Sequence, residues 1–133
     1  MSSLKNQVAV VTGASSGIGA SITQTFASEG AQVVLAARSV DKIEKLAADI
    51  VSAGGSALAV RTDVSDEESV VELFEQVDSK FASLDILVNN AGVGIGGPID
   101  ELKFETWRKV MSVNLDGAFL CAREAFKIMK KQG

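Results

Sequence analysis

A glycine-rich segment near the start of the chain has the composition of a phosphate-binding loop. It separates an apolar run, Val8–Thr12, from a segment of helical period. Glycines at such a turn allow a sharp change of direction, a close approach of backbone to pyrophosphate, and tight packing of helix against strand. The free N–H groups of the helix then face the phosphates. We predict a dinucleotide-phosphate site here, the alternative being a glycine-rich turn without a ligand. Its residues are Gly13, Ser15, Ser16, Gly17, Ile18 and Gly19.

The second candidate group, Arg38-Ser39, follows the next apolar run. A ribose 2′-hydroxyl is normally held by a carboxylate about 20 residues after the glycine loop. This chain has Ala37 and Arg38 there, and its first acid, Asp41, is better explained as a charge in the first turn of a helix. A guanidinium matches a 2′-phosphate in charge and in paired N–H donors. Arg38 therefore predicts NADP(H) as the cofactor, the alternative being a solvated arginine at a strand end.

Two further polar groups end apolar runs that are expected to reach the same edge of a sheet. Asp63 offers an acceptor for an adenine amino group and Val64 an apolar contact for the ring. The alternative is that Asp63 is only a turn residue. Asn89 and Asn90 carry amides that bridge loops or bind ribose, and a purely structural role is expected for at least one of them.

Alternating strands and helices must position these groups. Short β-branched runs alternate with segments of helical period, which is typical of parallel strands joined by crossover helices. Strands are predicted at Val8–Thr12, Gln32–Ala36, Ala57–Thr62 and Asp85–Val88. The first helix is predicted from about Gly17 to Glu29, with Ile18, Ile22 and Phe26 on its apolar face.

The later helices carry weaker signals. Ser65 to Glu68 has the pattern of a capping box that begins the third helix. The glycine-rich stretch Gly92 to Pro98 is predicted to be a loop within one domain. After it, one apolar stripe is predicted along a long helical segment, with Asn114 beside it and Gly117 at a break or a close contact. The stripe consists of Phe104, Trp107, Met111, Leu115, Ala118, Ala122, Ala125 and Met129.

Composition excludes several classes of function. The net charge of −4 at pH 7 argues against nucleic-acid or anionic-membrane partners. No apolar run approaches the length of about 20 residues that crosses a bilayer. A single cysteine, Cys121, fits a reducing cytoplasm. The chain has no His and no Tyr, so the usual zinc sites and any acid–base chemistry of imidazole or phenol are excluded, and no metal site is expected.

Four motifs in order along the chain resemble the short-chain dehydrogenase/reductase family. They are TGASSGIG at 12–19, Asp63-Val64, NNAG at 89–92 and Val113-Asn114-Leu115. The resemblance implies hydride transfer between a nicotinamide and an alcohol or carbonyl. It implies that Gly13, Gly17 and Gly19 bind pyrophosphate, that Arg38 marks the NADP-preferring branch and that Asp63 contacts adenine. It also implies that Asn90, with Ala91 and Gly92, lies on the ribose side, and that Asn114 is the catalytic asparagine that helps to hold a proton-relay water. The alternative for Asn114 is a core asparagine that only stabilises a helix kink.

The chain departs from this family in one large respect. The family's catalytic serine and its Tyr-x-x-x-Lys pair fall beyond residue 133, and no tyrosine is present to donate a proton. We therefore expect residues 1–133 to be one incomplete domain that binds the nucleotide without turnover. A small alcohol or carbonyl substrate is expected only where the rest of the domain is supplied. The alternatives are a non-catalytic dinucleotide-binding module that pairs with another chain, and a structural remnant that assembles without cofactor.

The expected fold is α/β, a Rossmann-type doubly wound parallel sheet in a three-layer α/β/α sandwich that ends after the helix following strand four. The predicted strand order is 3-2-1-4, with the first two helices on one face and the later helices on the other. Strand four is then an edge, and an apolar patch is expected on the last helix. We therefore expect a homo-oligomer formed through that edge, that helix, or both. The patch residues are Phe119, Ala122, Phe126 and Met129.

Overall fold

Four parallel strands form one sheet in the order β3-β2-β1-β4, as the sequence predicts. The computed structural model describes residues 3–94 and 96–133. In the centre of the sheet, Ala9 pairs with Val33 on one side and with Ile86 on the other. The strands are β1 (Val8–Thr12), β2 (Gln32–Ala37), β3 (Ser56–Arg61) and β4 (Ile86–Val88).

Helices connect the strands and cover both faces of the sheet. They are α1 (Gly17–Ser28), α2 (Val40–Ser52), α3 (Glu67–Phe81), α4 (Phe104–Met111) and α5 (Gly117–Gln132). A π-helical segment, Ser112–Asp116, joins α4 to α5, and a single 3₁₀ turn, Ile99–Glu101, precedes α4. Residues 92–94, 96 and 98 have no regular structure and Gly97 is a bend, as predicted for this loop, whereas Ile95 lies outside the described residues.

The sheet separates two apolar cores. Alternate residues of each strand point to opposite faces, so Val10 and Val34 pack with α3 and α5, whereas Val33 and Leu35 pack with α1 and α2. This arrangement confirms the predicted placement of the helices. All five residues of β1 are buried, as expected for a strand that is covered on both faces.

The start of α3 differs from the predicted capping box. Asp66, not Ser65, is the N-cap residue, and its carboxylate accepts a hydrogen bond from the amide of Glu68 at 3.1 Å. A carboxylate one residue later competes with the serine for the free amides of the first turn, and its charge also favours the positive end of the helix. The Ser65 hydroxyl bonds to Asp63 instead.

The apolar stripe predicted along α4 and α5 is also wrong in half of its members, since Phe104, Trp107, Leu115 and Ala122 are exposed whereas Ala125 is buried. Phe104 and Leu115 are 74% and 63% exposed. The buried face carries Val110, Gly117, Cys121, Glu124, Ala125 and Ile128. These helices have apolar residues on more than one face. The face that packs against the core consists largely of small residues and includes an ion-paired acid, so apolar periodicity alone predicts the wrong buried face. The same applies to Ile18 in α1, which is 72% exposed.

Within residues 3–94 and 96–133, no helix combines the length and the apolar character that crossing a membrane requires.

Candidate functional site

Most of the predicted site residues meet in one cleft at the carboxyl edge of the sheet. In a parallel sheet all strand–helix loops of one edge lie together, and ligands of open α/β folds bind there. The loops after β1, β2, β3 and β4 all contribute to this cleft. Its lining consists of Gly13, Ser15, Ser16, Ala36, Ala37, Arg38, Ser39, Thr62, Asp63, Val64, Asn90, Ala91, Gly92, Val93 and Val113.

The loop between β1 and α1 is built around backbone conformations that suit glycine. Gly13 and Gly17 have φ values of +63° and +58°, in the left-handed region that a side chain disfavours. A Cβ atom on Gly19 would overlap the carbonyl oxygen of Gly13. The loop therefore folds back on the first turn of α1. Ser16, the N-cap residue, forms no side-chain cap bond within the described part of the chain, so the first amides of α1 remain available to an anion.

The hydroxyl of Thr12 joins β1 to the loop that follows β4. It accepts hydrogen bonds from the amides of Asn90 and Ala91, both at 3.0 Å, and donates to the carbonyl of Val88 at 3.3 Å. The side chain of Asn90 adds a bond to the carbonyl of Gly13 at 3.2 Å. The two loops that form the centre of the cleft are thus held together by one buried threonine and one asparagine.

Replacing Thr12 with Val should destabilise the chain, because it keeps the shape of the side chain and removes its hydroxyl. The amide of Ala91, which is partly buried at the cleft, then loses its acceptor, so we expect a cost of about 1 kcal/mol, at the lower end of the range for a buried unsatisfied donor. Thr12→Ser keeps the hydroxyl and is the matched control. Urea denaturation of the three proteins measures the difference. A Thr12→Val protein as stable as the unmodified chain would contradict this role of the hydroxyl.

Arg38 and Ser39 lie where the adenosine half of a dinucleotide is expected. Both are exposed and both line the cleft, immediately after β2. The side chain of Arg38 forms no ion pair with any other described residue. Asp41 lies in the first turn of α2, as predicted, and does not line the cleft. The end of β2 therefore presents a guanidinium and no carboxylate.

Asp63 is held in a defined orientation at the end of β3. Its Oδ1 accepts from the hydroxyl of Ser65 at 2.6 Å and from the amide of Ser65 at 3.0 Å. Its own amide donates to the hydroxyl of Ser69 at 2.9 Å. The hydroxyl of Ser65 is the main cause that lowers the pKa of Asp63, and the positive charges of Arg38 and Arg61 act in the same direction. The carboxylate is therefore ionised at neutral pH and accepts hydrogen bonds only.

Asn114 lies at the centre of the π-helical segment and orders the glycine-rich loop. Its Oδ1 accepts from the amide of Val93 at 2.8 Å, and its Nδ2 donates to the carbonyl of Val93 at 2.9 Å. The pair of bonds brings the loop after β4 to the junction of α4 and α5. A π-helical segment often marks a functional position in a helix. The side chain itself is exposed rather than buried beside an apolar stripe.

Two contacts place α5 against the cleft. Nδ2 of Asn89 donates to the carbonyl of Ala118 at 3.2 Å, which gives Asn89 the structural role expected for one of the two asparagines. A Cβ atom on Gly117 would lie 2.7 Å from Cγ2 of Val64, so Gly117 marks a close contact and not a break. Val64 is buried under this contact and still lines the cleft.

Most of the predicted residues are brought together, and a few additional ones were missed. Gly17, Ile18, Gly19 and Asn114 adjoin the cleft without lining it, whereas the other ten line it. Five residues line it without having been predicted as site residues: Ala36, Ala37, Thr62, Val93 and Val113. Thr12 did carry a signal, since it is the polar residue of an otherwise apolar strand. Val93 carries no such sequence signal, because its backbone and not its side chain forms the hydrogen bonds.

Comparison with known proteins identifies the family. Residues 7–133 match the model of the short chain dehydrogenase family. The chain belongs to this family. The strand order and the arrangement of loops at the carboxyl edge are those of a Rossmann-type fold.

Individual members of the short chain dehydrogenase family resemble the chain over nearly all of its length. "Dehydrogenase/reductase SDR family member 11" of Gallus gallus is 41% identical over 128 residues, which are 95% of this chain and 50% of that protein. "NADP-dependent (R)-specific alcohol dehydrogenase" of Lentilactobacillus kefiri is 40% identical and is matched over 98% of this chain and 51% of its own length. A crystal structure of a metagenomic short-chain oxidoreductase in complex with NADP superimposes with a TM-score of 0.93 at 42% identity, covering 98% of this chain and 60% of that one. The chain thus spans about half the length of the curated relatives it matches.

Proposed function

We propose that this chain is the NADP(H)-binding part of a short-chain oxidoreductase that transfers hydride between nicotinamide and a carbonyl or alcohol. The observation that carries the proposal is the cleft itself. It joins a glycine loop at the start of α1 to an arginine, with no acid, at the end of β2. The nicotinamide supplies or accepts the hydride when the cofactor is bound.

The phosphate side of the cleft fits a pyrophosphate. A Cβ atom on Gly13 would lie 2.9 Å from Cα of Ala91, so the loop leaves no room for a side chain on its inner side. The hydroxyls of Ser15 and Ser16 line the cleft beside the first turn of α1. We assign Gly13, Ser15, Ser16 and the first turn of α1 to the phosphates, because the helix N-terminus there offers N–H donors and a positive dipole end.

The adenosine side of the cleft fits a 2′-phosphorylated ribose. Arg38 presents paired N–H donors, and Ser39 adds a hydroxyl next to it. Asp63 accepts from the adenine amino group, and Val64 contacts the ring. The relative from Lentilactobacillus kefiri is described as NADP-dependent and the metagenomic structural neighbour contains NADP, which supports the same cofactor for this chain.

The ribose and nicotinamide side belongs to Asn90, Ala91, Gly92 and Asn114. Asn90 and the two residues after it line the cleft, and Asn90 and Ala91 lie next to Gly13 of the glycine loop. Asn114 retains one N–H of its amide beyond the bond to Val93, because an amide nitrogen carries two donors. We assign that group to the proton-relay water, which a catalytic asparagine of this family helps to hold.

The site assignment predicts which amides respond to cofactor. NADPH added to the isotopically labelled chain should shift the backbone amide NMR signals of residues 13–19, 38–39, 63–64 and 90–93. Signals of the opposite edge, such as those of Gly54 and Gly55 after α2, should stay unchanged. Shifts confined to other regions, or none at saturating NADPH, would contradict the assignment.

We further propose that the 133-residue chain self-associates through α5. Phe119 and Phe126 are 60% and 63% exposed, Ala122 is also exposed, and Met129 is half-buried. These residues recur at alternating intervals of three and four, which places them on one side of the helix. Arg123 packs over the ring of Phe119 at 5.8 Å and pairs with Glu67 at 2.7 Å, so charged groups border the apolar side.

Phe126→Lys should shift the chain from dimer to monomer, because a charge then replaces apolar surface at the centre of the contact. Multi-angle light scattering across a dilution series measures the change. Ile99→Lys is the matched control, since Ile99 is 89% exposed but lies outside α5. A chain that is already monomeric at tens of micromolar would contradict self-association. If Phe126→Lys remains a dimer, the edge of β4 becomes the expected route instead.

We also propose a cytoplasmic location. Cys121 is buried on α5, and burial raises the pKa of its thiol to about 11. It is therefore a neutral packing residue. The proposal rests on cysteine usage, because a chain with Cys121 as its one cysteine cannot form an intramolecular disulfide, which fits a compartment where thiols stay reduced.

A further inference from the structure

Ser65 does not line the cleft, yet among the described residues its hydroxyl makes the shortest hydrogen bond to a residue that does. Its hydroxyl donates to Oδ1 of Asp63 at 2.6 Å, and its amide donates to the same oxygen at 3.0 Å. The amide of Asp66 closes the turn on the carbonyl of Asp63 at 3.0 Å. Both donors of Ser65 thus act on one oxygen of one carboxylate.

The other oxygen of Asp63 is left for a ligand. Among residues 3–94 and 96–133, no group donates to Oδ2, although Asp63 lines the cleft. A carboxylate that rotates freely presents either oxygen in many directions. A carboxylate with Oδ1 held by two donors presents Oδ2 in one direction, which reduces the entropy lost when a ligand binds.

The cap of α3 does not need Ser65. Asp66 provides the side-chain cap to the amide of Glu68, and Ser65 itself is exposed. A serine that only began the helix would direct its hydroxyl to the amides of the first turn. The hydroxyl is directed to the carboxylate instead, so its role concerns Asp63.

We propose that Ser65 is a positioning residue that fixes Asp63 to accept the amino group of the adenine ring, so that the chain distinguishes adenine from hypoxanthine dinucleotides. The proposal rests on the proposed contact of Asp63 with adenine. Hypoxanthine carries a carbonyl oxygen in place of the amino group, and a fixed, ionised acceptor repels it. The pKa of Asp63, which the Ser65 hydroxyl lowers, keeps the carboxylate an acceptor only.

The test compares the affinities of NADPH and its hypoxanthine analogue by isothermal titration calorimetry. The unmodified chain should prefer NADPH. Ser65→Ala should weaken NADPH binding by about three- to tenfold and leave the analogue within about twofold, because only the amino group loses a positioned acceptor. Ser65→Thr keeps the hydroxyl and should restore the preference. Ser28→Ala removes an exposed serine hydroxyl that bonds to Thr25 and serves as the control for the substitution itself.

The outcomes separate this proposal from the one on which it rests. Asp63→Asn should abolish the preference. If it does so and Ser65→Ala keeps the preference of the unmodified chain, the role of Ser65 is overturned and the adenine contact stands. Equal weakening of both nucleotides by Ser65→Ala overturns it as well, since a merely structural turn would affect both. If the preference for NADPH over its hypoxanthine analogue survives in Asp63→Asn, both the proposed adenine contact and the role of Ser65 are overturned.

Discussion

The 133-residue chain should bind NADPH and yet show no turnover above background with panels of ketones, aldehydes and alcohols. It contains no Tyr and no His, so neither a phenol nor an imidazole is present to move a proton to or from the substrate. A positioned acid or base contributes about 10²- to 10⁴-fold to a rate, and orientation of the substrate contributes more. The turnover rate is measured by following oxidation of NADPH at 340 nm. An active family member, assayed on the same panel, is the positive control.

Turnover that tracks the purified chain would contradict this expectation and show that another group has replaced the phenol. The titratable side chains that precede Asn114 in sequence include Lys103, Glu105 and Lys109, on or next to α4. All three are exposed, which is typical of solvated helix charges. Lys109→Ala and Glu105→Gln should therefore leave NADPH binding unchanged. If activity is present, its loss in one of these variants identifies the group responsible.

Arg38→Ala should weaken NADPH binding by about ten- to a hundredfold and leave NADH binding nearly unchanged. The guanidinium lies at the end of β2, where the 2′-phosphate is proposed to bind, and only NADPH carries that phosphate. A charge-assisted hydrogen bond contributes about 1.5–3 kcal/mol, which corresponds to this range of affinity. Arg38→Lys keeps the charge and loses the paired donors, so an intermediate effect is expected.

Arg61→Ala is the matched control for this substitution. Arg61 pairs with Ala37 in the register of β3 and β2, is exposed, and does not line the cleft. The substitution Arg61→Ala therefore removes one positive charge near the ends of β2 and β3, as Arg38→Ala does. Arg61→Ala could instead weaken NADPH binding as much as Arg38→Ala does. The preference for NADPH would then reflect the general positive electrostatic field of this region, and the proposed contact of Arg38 with the 2′-phosphate would be wrong.

The sequence was sufficient for the parts of the fold that depend on strong local signals. Short apolar runs marked all four strands to within one residue at each end, and helical segments between them required parallel pairing. The strand order 3-2-1-4, predicted as part of the doubly wound fold, is confirmed by the sheet. The residues that end the strands, among them Arg38 and Asp63, could be placed at one edge because the carboxyl ends of parallel strands lie together.

The errors arose where several groups compete for one role. Ser65 and Asp66 are both good N-cap residues. The sequence does not show that the hydroxyl of Ser65 lies within hydrogen-bond distance of the Asp63 carboxylate, which leaves the cap to Asp66. In α5 the buried face depends on what α3 and the loop between β3 and α3 present to it, so Gly117 fits against Val64 in that loop while Phe119 remains outside. The bonds of Asn114 to the backbone of Val93 depend on the path of a glycine-rich loop, which no side-chain pattern encodes.

The measurement that tests the central claim most directly is a calorimetric titration of the unmodified chain with NADPH and, separately, with NADH. The cleft predicts saturable binding of one nucleotide per chain, with NADPH bound about ten- to a hundredfold more tightly because Arg38 meets a 2′-phosphate in one ligand and a hydroxyl in the other. Equal affinities would contradict the assignment of Arg38. No binding of either nucleotide would contradict the account as a whole.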